Sequence, residues 1–397
     1  MATFAACLAF ALPGPALALW GDQVELFAAE TLTYDTNVFR LSSGVDPNVA
    51  LNSSKKSDWW SLTSLGFNVN VPIGRQRIQG GYAYNFSRYD RFSQLDFEGY
   101  NARALWLWEI GNQLSGQLGY TETKSLADYR NFQTVTANSL KTNRAFFTGA
   151  YLLTPEWKLN LGADAVEQRN GDPARRVNDV DMTGFDAGVT YISRAGNQIG
   201  FALRTEDGRY PNNQVVAGIS VSNDYTQNTA ALVLDWTFTP QSHLNMRGGW
   251  VERKYEQVPG RNFDDTTGRV QFDWRPTGKL TISAIALKEV SPLEDIQTSF
   301  VLIRGFSLRP TWQITEKTSL ALSLDTSERK YLGDPGLVIG ATPLREDKVH
   351  GALLALTWLP LRNVQVIGTA LRESRSSNLV NGDYDVTVIS ARARIAF

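Results

Sequence analysis

The sequence predicts an all-β protein: a transmembrane antiparallel up-and-down β-barrel of about eighteen strands behind an N-terminal signal peptide. Three observations carry this. Apolar and polar residues alternate with period two along nearly the whole chain, tight turns alternate with long polar loops, and tryptophans gather beside the tight turns. Strands that cross lipid must close into a barrel, because only a closed sheet leaves no unpaired backbone there.

The elements follow in order. Met1 to Ala18 holds no Lys, Arg, Asp or Glu and ends in Ala16-Leu17-Ala18, a small-x-small pattern suited to signal peptidase. The expected division is therefore a signal peptide, 1–18, and a barrel, 19–397. The single cysteine, Cys7, lies in the leader, so neither disulfides nor thiol chemistry is expected in the mature chain. Beyond residue 19 no run of about 18 apolar residues exists, so a membrane role requires strands. Lys and Arg number 39 against 40 Asp and Glu, and the net charge of -1 gives no basis for holding nucleic acid.

Leu114, Leu118 and Tyr120 alternate with Ser115 and Gln117; Leu320, Leu322 and Leu324 alternate with Ser319, Ser323 and Asp325. Turn formers recur near Gly74, Gly111-Asn112, Pro155-Glu156, Ala195-Gly196, Pro240-Gln241, Pro276-Thr277-Gly278, Glu316-Lys317 and Pro360-Leu361. Between them lie longer polar stretches, among them Ser42 to Lys56, Lys124 to Leu140, Gly208 to Ser222 and Lys330 to Arg345. A propeller also repeats at about 40 residues, but with four short strands per repeat. Here there are two long ones. Trp108, Trp157, Trp236, Trp274, Trp312 and Trp358 stand near tight turns, as an interfacial girdle requires. The last strand alternates Ile389, Ala391, Ala393, Ile395 and Phe397 with polar residues, like the terminal strand read by the barrel assembly machinery of Gram-negative bacteria.

If the apolar face meets lipid, the opposite face lines a lumen wide enough for water. It carries Arg103, Arg144, Asp164, Arg204, Asp235, Arg247, Arg269, Asp273, Arg392 and Arg394, which are the candidate lumen or substrate-path residues. Salt bridges across neighbouring strands are the plainer role for these side chains, and a substrate track is the other. Arg304 departs from the pattern: it shares the apolar register of Phe300, Leu302, Phe306 and Leu308, where lipid near the midplane would cost about 2–4 kcal/mol. A bulge or register change is expected to turn it away.

Chemistry for catalysis is not visible. His243 and His350 are far apart in sequence, no His/Cys cluster suits a metal, and no nucleophile stands with a base. No enzyme activity and no cofactor are expected.

Tyr34-Asp35-Thr36-Asn37-Val38-Phe39-Arg40-Leu41, Ser125-Leu126-Ala127-Asp128-Tyr129-Arg130-Asn131-Phe132 and Gly149-Ala150-Tyr151 to Pro155-Glu156-Trp157 resemble the exopolysaccharide-biosynthesis outer-membrane protein EpsL. That family accompanies exosortase and PEP-CTERM gene clusters and falls within a group of β-barrel porins. The resemblance implies an outer-membrane channel that assists export of an extracellular polysaccharide, with outer-membrane lipid, the polysaccharide, the assembly machinery and periplasmic export proteins as partners. It singles out Asp35 and Asn37, which either order the first loop or contact sugar. A diffusion porin for small solutes and a plugged barrel that docks export proteins are the alternatives.

Overall fold

A computed structural model describes residues 23–127, 129–130, 136–216, 218–292, 300–332 and 344–397. The expected signal peptide lies outside the described residues. The strands are β1 (Val24–Asp35), β2 (Asp58–Ile73), β3 (Gln76–Tyr89), β4 (Phe97–Ile110), β5 (Leu114–Leu126), β6 (Ser139–Thr154) and β7 (Trp157–Asn170). Next come β8 (Val180–Ile192), β9 (Gln198–Arg209), β10 (Gln214–Val216), β11 (Ile219–Val221), β12 (Tyr225–Thr239), β13 (Ser242–Tyr255) and β14 (Phe263–Thr277). The series ends with β15 (Leu280–Pro292), β16 (Phe300–Thr315), β17 (Thr318–Leu332), β18 (Glu346–Leu361), β19 (Val364–Ser377) and β20 (Tyr384–Ala396).

All but β10 and β11 join in one 18-stranded sheet. Each strand pairs antiparallel with its neighbour in sequence, β9 pairs with β12, and β1 closes the ring on β20 from Phe27↔Ala396 to Asp35↔Val388. The barrel is therefore all-β and sealed, as the alternation predicts. β10 and β11 form a separate hairpin within the loop between β9 and β12, an element that the sequence pattern does not reveal.

Tight turns join strands at one end. Gly74 and Gly111 hold φ of 60° and 61° there, a conformation open to glycine without strain. Two turns fall later than expected, at 278–279 and 362–363, because Pro276 and Pro360 lie inside register shifts at Trp274/Thr277 and Trp358/Leu361. A bulge tolerates a residue that cannot donate to the ladder, so each proline precedes its turn.

Register assigns the faces. Leu65, Phe67, Ile78, Leu118, Phe147, Leu161, Phe201, Leu232, Phe306 and Leu354 share the outward face and stay exposed, which makes an apolar belt for lipid. Trp157, Trp274, Trp312 and Trp358 are outward and exposed beside the turns, and Trp108 and Trp236 share their register. The expected girdle is present. No helix among the described residues is long and apolar enough to cross a membrane.

Arg304 needs no bulge. Register runs unbroken from Phe300↔Leu332 past Arg304↔Glu328 to Leu308↔Leu324, so the expected turning-away is corrected: Arg304 stays on the outward face, exposed. β16 has 16 residues, whereas a tilted strand crosses hydrocarbon in about 9–11, and Arg304 lies in the far third from the turn. It clears the lipid core by strand length.

At the mouth, Val38, Phe39, Leu41, Phe92, Leu95 and Tyr129 bury one another in a core built from the first three long loops. Phe39 and Leu95 are completely buried. Arg130 ties this core to β19, where its Nε lies 3.0 Å from Glu373 Oε1 and its carbonyl accepts from Arg375.

Candidate functional site

The lumen wall is the candidate site. Period-two alternation places every candidate residue of the barrel strands on the inward register, opposite the lipid belt. Arg103 and Arg144 flank Thr121 on successive strands, and Arg247 faces Arg269 directly across one strand pair. Like charges in direct opposition repel, so the Arg247–Arg269 pair is a cost that an anion between them would relieve.

The carboxylates are already engaged. Arg204 Nη1 donates to Asp164 Oδ1 at 2.7 Å and to Asp186 Oδ2 at 2.6 Å, and Nη2 donates to Glu206 Oε2 at 2.9 Å. Gly184 makes room for this guanidinium: a Cβ there would lie 2.2 Å from Arg204 Nη2. Asp235 bonds His243 Nε2 at 3.0 Å and accepts from Asn245 Nδ2 at 3.2 Å. Asp273 accepts from Gln271 at 3.0 Å and from Ser283. Arg269 lies 3.7 Å from Glu289, and Arg394 pairs with Glu25.

Four arginines remain. Arg103, Arg144 and Arg247 are exposed to the lumen, Arg392 is half-buried, and none has a carboxylate at ion-pair distance among the described residues. Arg392 Nε is buried without a hydrogen-bond partner. Arg144 lies over the Phe146 ring at 5.2 Å, which leaves its charge unneutralised.

Beside Arg247 the wall recedes. A recess of about 520 Å³ is rimmed by Lys158, Asn160, Asp186, Asp235, Asn245 and Arg247 and floored in part by Gly162, Gly188 and Gly200. Among the described residues Lys158 bonds only the neutral Gln198, at 3.0 Å. Sequence reading missed Lys158, and it also missed Arg309, whose guanidinium lies 3.6 Å from Asp325. Both share the inward register that the alternation defines, so the signal was there. Arg130 and its tie to Glu373 could not have been read, because no pattern says where a loop lands.

Asp35 and Asn37 stand apart from the lumen wall's charges. Asp35 Oδ1 accepts from the Asn37 amide at 2.8 Å and Oδ2 from Arg40 at 2.9 Å. Asn37 donates to the Leu41 carbonyl at 2.8 Å and accepts from the Leu41 amide at 2.9 Å. Both are buried, so their polar atoms are used in ordering the first loop. Burial pushes the Tyr129 phenol up to about 12 in the same loop core. Among the described residues no group of three or more His, Cys, Asp or Glu could hold a metal.

Comparison with known proteins agrees with this architecture. A family model described as "Putative beta-barrel porin 2" matches residues 245–397. No curated protein matches the chain. Among solved structures, the outer-membrane protein OpdK of Pseudomonas aeruginosa is 11% identical, with 95% of this chain and 99% of that one covered at a TM-score of 0.50. OpdF of the same organism, in complex with glucuronate, is 10% identical over 94% of this chain and 98% of that one, at a TM-score of 0.52. The chain has the fold of a porin-type outer-membrane β-barrel.

Proposed function

We propose that this barrel is a passive, non-enzymatic channel for small hydrophilic solutes, with a preference for anions. One observation carries the reading: Arg103, Arg144, Arg247 and Arg392 face the lumen without carboxylate partners among the described residues, while inward acids such as Asp164, Asp186, Glu206, Asp325, Glu289 and Glu25 lie against other arginines. At these four positions the wall is locally positive although the chain as a whole carries -1. Low-dielectric walls focus such a field on ions in the lumen.

Planar-bilayer recording of the purified barrel in a KCl gradient tests this. The expected reversal potential marks chloride as the more permeant ion, and Arg103→Gln with Arg247→Gln moves it toward zero. Glucuronate, the ligand in the OpdF complex, is a convenient organic anion for measuring block of the current. A cation-selective channel would overturn the proposal. Polysaccharide export, which the EpsL resemblance implies, draws no support from the comparisons; loss of surface polymer in a deletion strain whose small-anion uptake is normal would restore it.

A further inference from the structure

We infer that the outward ends of β16 to β18 bind the phosphate groups of a phosphorylated glycolipid in the outer leaflet, with Arg304 and Lys348 as its two cationic contacts. The inference starts from Arg304, which remains on the lipid-facing register above the apolar belt.

Elsewhere around this collar most outward cations are paired with a neighbouring carboxylate; Lys124, over the Phe97 ring, and Arg209 are isolated exceptions with no second unpaired cation in a cross-strand row among the described residues. Arg88 lies 3.1 Å from Glu98, Lys141 lies 2.8 Å from Glu122, Arg169 lies 2.7 Å from Asp181 and Lys254 lies 2.9 Å from Glu252. Glu98 and Glu122 also accept tyrosine hydroxyls, from Tyr84 at 2.8 Å and Tyr120 at 2.7 Å. Those paired charges need nothing from the lipid.

On β16 to β18 the arrangement differs. Arg304 and Lys348 stand on either side of Glu328 in one cross-strand row, Arg304↔Glu328↔Lys348. Both cations are exposed, and neither has a carboxylate at ion-pair distance among the described residues. Glu328 is instead nearest Lys330, at 3.8 Å, and Lys330 is shared with Glu346 at 3.3 Å. On its other side Arg304 faces Lys288, a like charge in direct opposition, whose ammonium is bound to Asp265. Two cations two strands apart, about 10 Å at the backbone, can close on a phosphate between their flexible ends. Below them the same face offers Phe306, Leu308, Leu324 and Leu354. Anionic groups above and acyl chains below describe a membrane lipid, and a free phosphate would use only the upper half.

The test is lipid binding by the detergent-solubilised full barrel, read by native mass spectrometry and by thermal unfolding. The probes are purified lipopolysaccharide, the same material dephosphorylated, and inorganic phosphate. Removing two surface cations should weaken binding roughly thirty-fold, so Arg304→Gln with Lys348→Gln is expected to lose most lipopolysaccharide binding. Wild type should bind the dephosphorylated lipid about as weakly as that variant. Lys141→Gln, from the self-paired part of the collar, should bind like wild type. Equal binding by the folded double variant, an equal loss in Lys141→Gln, or retention of inorganic phosphate as tightly as the lipid would each overturn the assignment. None of these readouts depends on whether the lumen prefers anions.

Discussion

At the scale of single residues, Arg204 shows how a lumen network balances stability against selectivity. Its guanidinium is the common cation for Asp164, Asp186 and Glu206, and Tyr225 also donates to Glu206 at 3.0 Å. Arg204→Met would leave three acids with no cation. In a dry interior such a loss costs about 3–5 kcal/mol, but water in the lumen screens this one, so about 2 kcal/mol is expected. The urea midpoint of the folded barrel, followed by heat-modifiable gel mobility, measures it, and the reversal potential should shift toward potassium. Gly184→Val should act in the same direction by displacing the guanidinium, since its Cβ alone would collide with Arg204. If Gly184→Val were neutral in both assays, the packing account of the network would be wrong.

At the scale of elements, the strands were legible because each carries its own period, whereas the loops were not. A strand pairs with its chain neighbour, so local alternation and turn residues suffice to order the sheet. Prolines misled the turn positions at 276 and 360 because bulges hide them from the ladder. Arg304 misled because its apolar register is genuine, and the error lay in assuming that the whole strand sits in hydrocarbon. The inward arginines were legible for the same reason as the strands, but their pairing was not, since it depends on which carboxylates meet which guanidinium across the wall. The mouth core was invisible: Phe39, Phe92 and Tyr129 come from three loops, and only tertiary packing brings their rings to 5.0 Å of each other around Phe39. That core makes an element-scale prediction. Phe39→Ala should remove about 3–5 kcal/mol of loop packing without unfolding the barrel, whose ladder lies elsewhere. Flickering of the open-channel current and protease nicking near residues 36–57 should both rise. Tyr129 adds a pH dependence. Its folded value is raised from about 10 to about 12, so the contribution of the neutral phenol is intact below about pH 10. It is lost as pH rises through about 12, and the same flickering should appear over that window.

At the scale of the whole molecule, the distribution of charge matters more than its sum. The chain is almost neutral, yet it directs unpaired cations inward in the wall and places two of them, Arg304 and Lys348, in one outward row of the collar. A field of this kind acts over distances set by salt. The Debye length is about 10 Å at 0.1 M and about 3 Å at 1 M, so charges spread around a wide lumen reach its axis only at low salt. A solute bound directly to Arg247 beside the recess would be less sensitive, because contact distances lie inside even the shorter length. Chloride preference from the reversal potential should therefore be strong at 0.1 M KCl and nearly vanish at 1 M. Block by an organic anion at the recess should weaken by a smaller factor over the same range, and Lys158→Gln should reduce the block while leaving the chloride preference almost unchanged. If selectivity were as strong at 1 M as at 0.1 M, the ions would be passing a narrow contact site, and the loops at the mouth rather than the arginines of the wall would set what crosses.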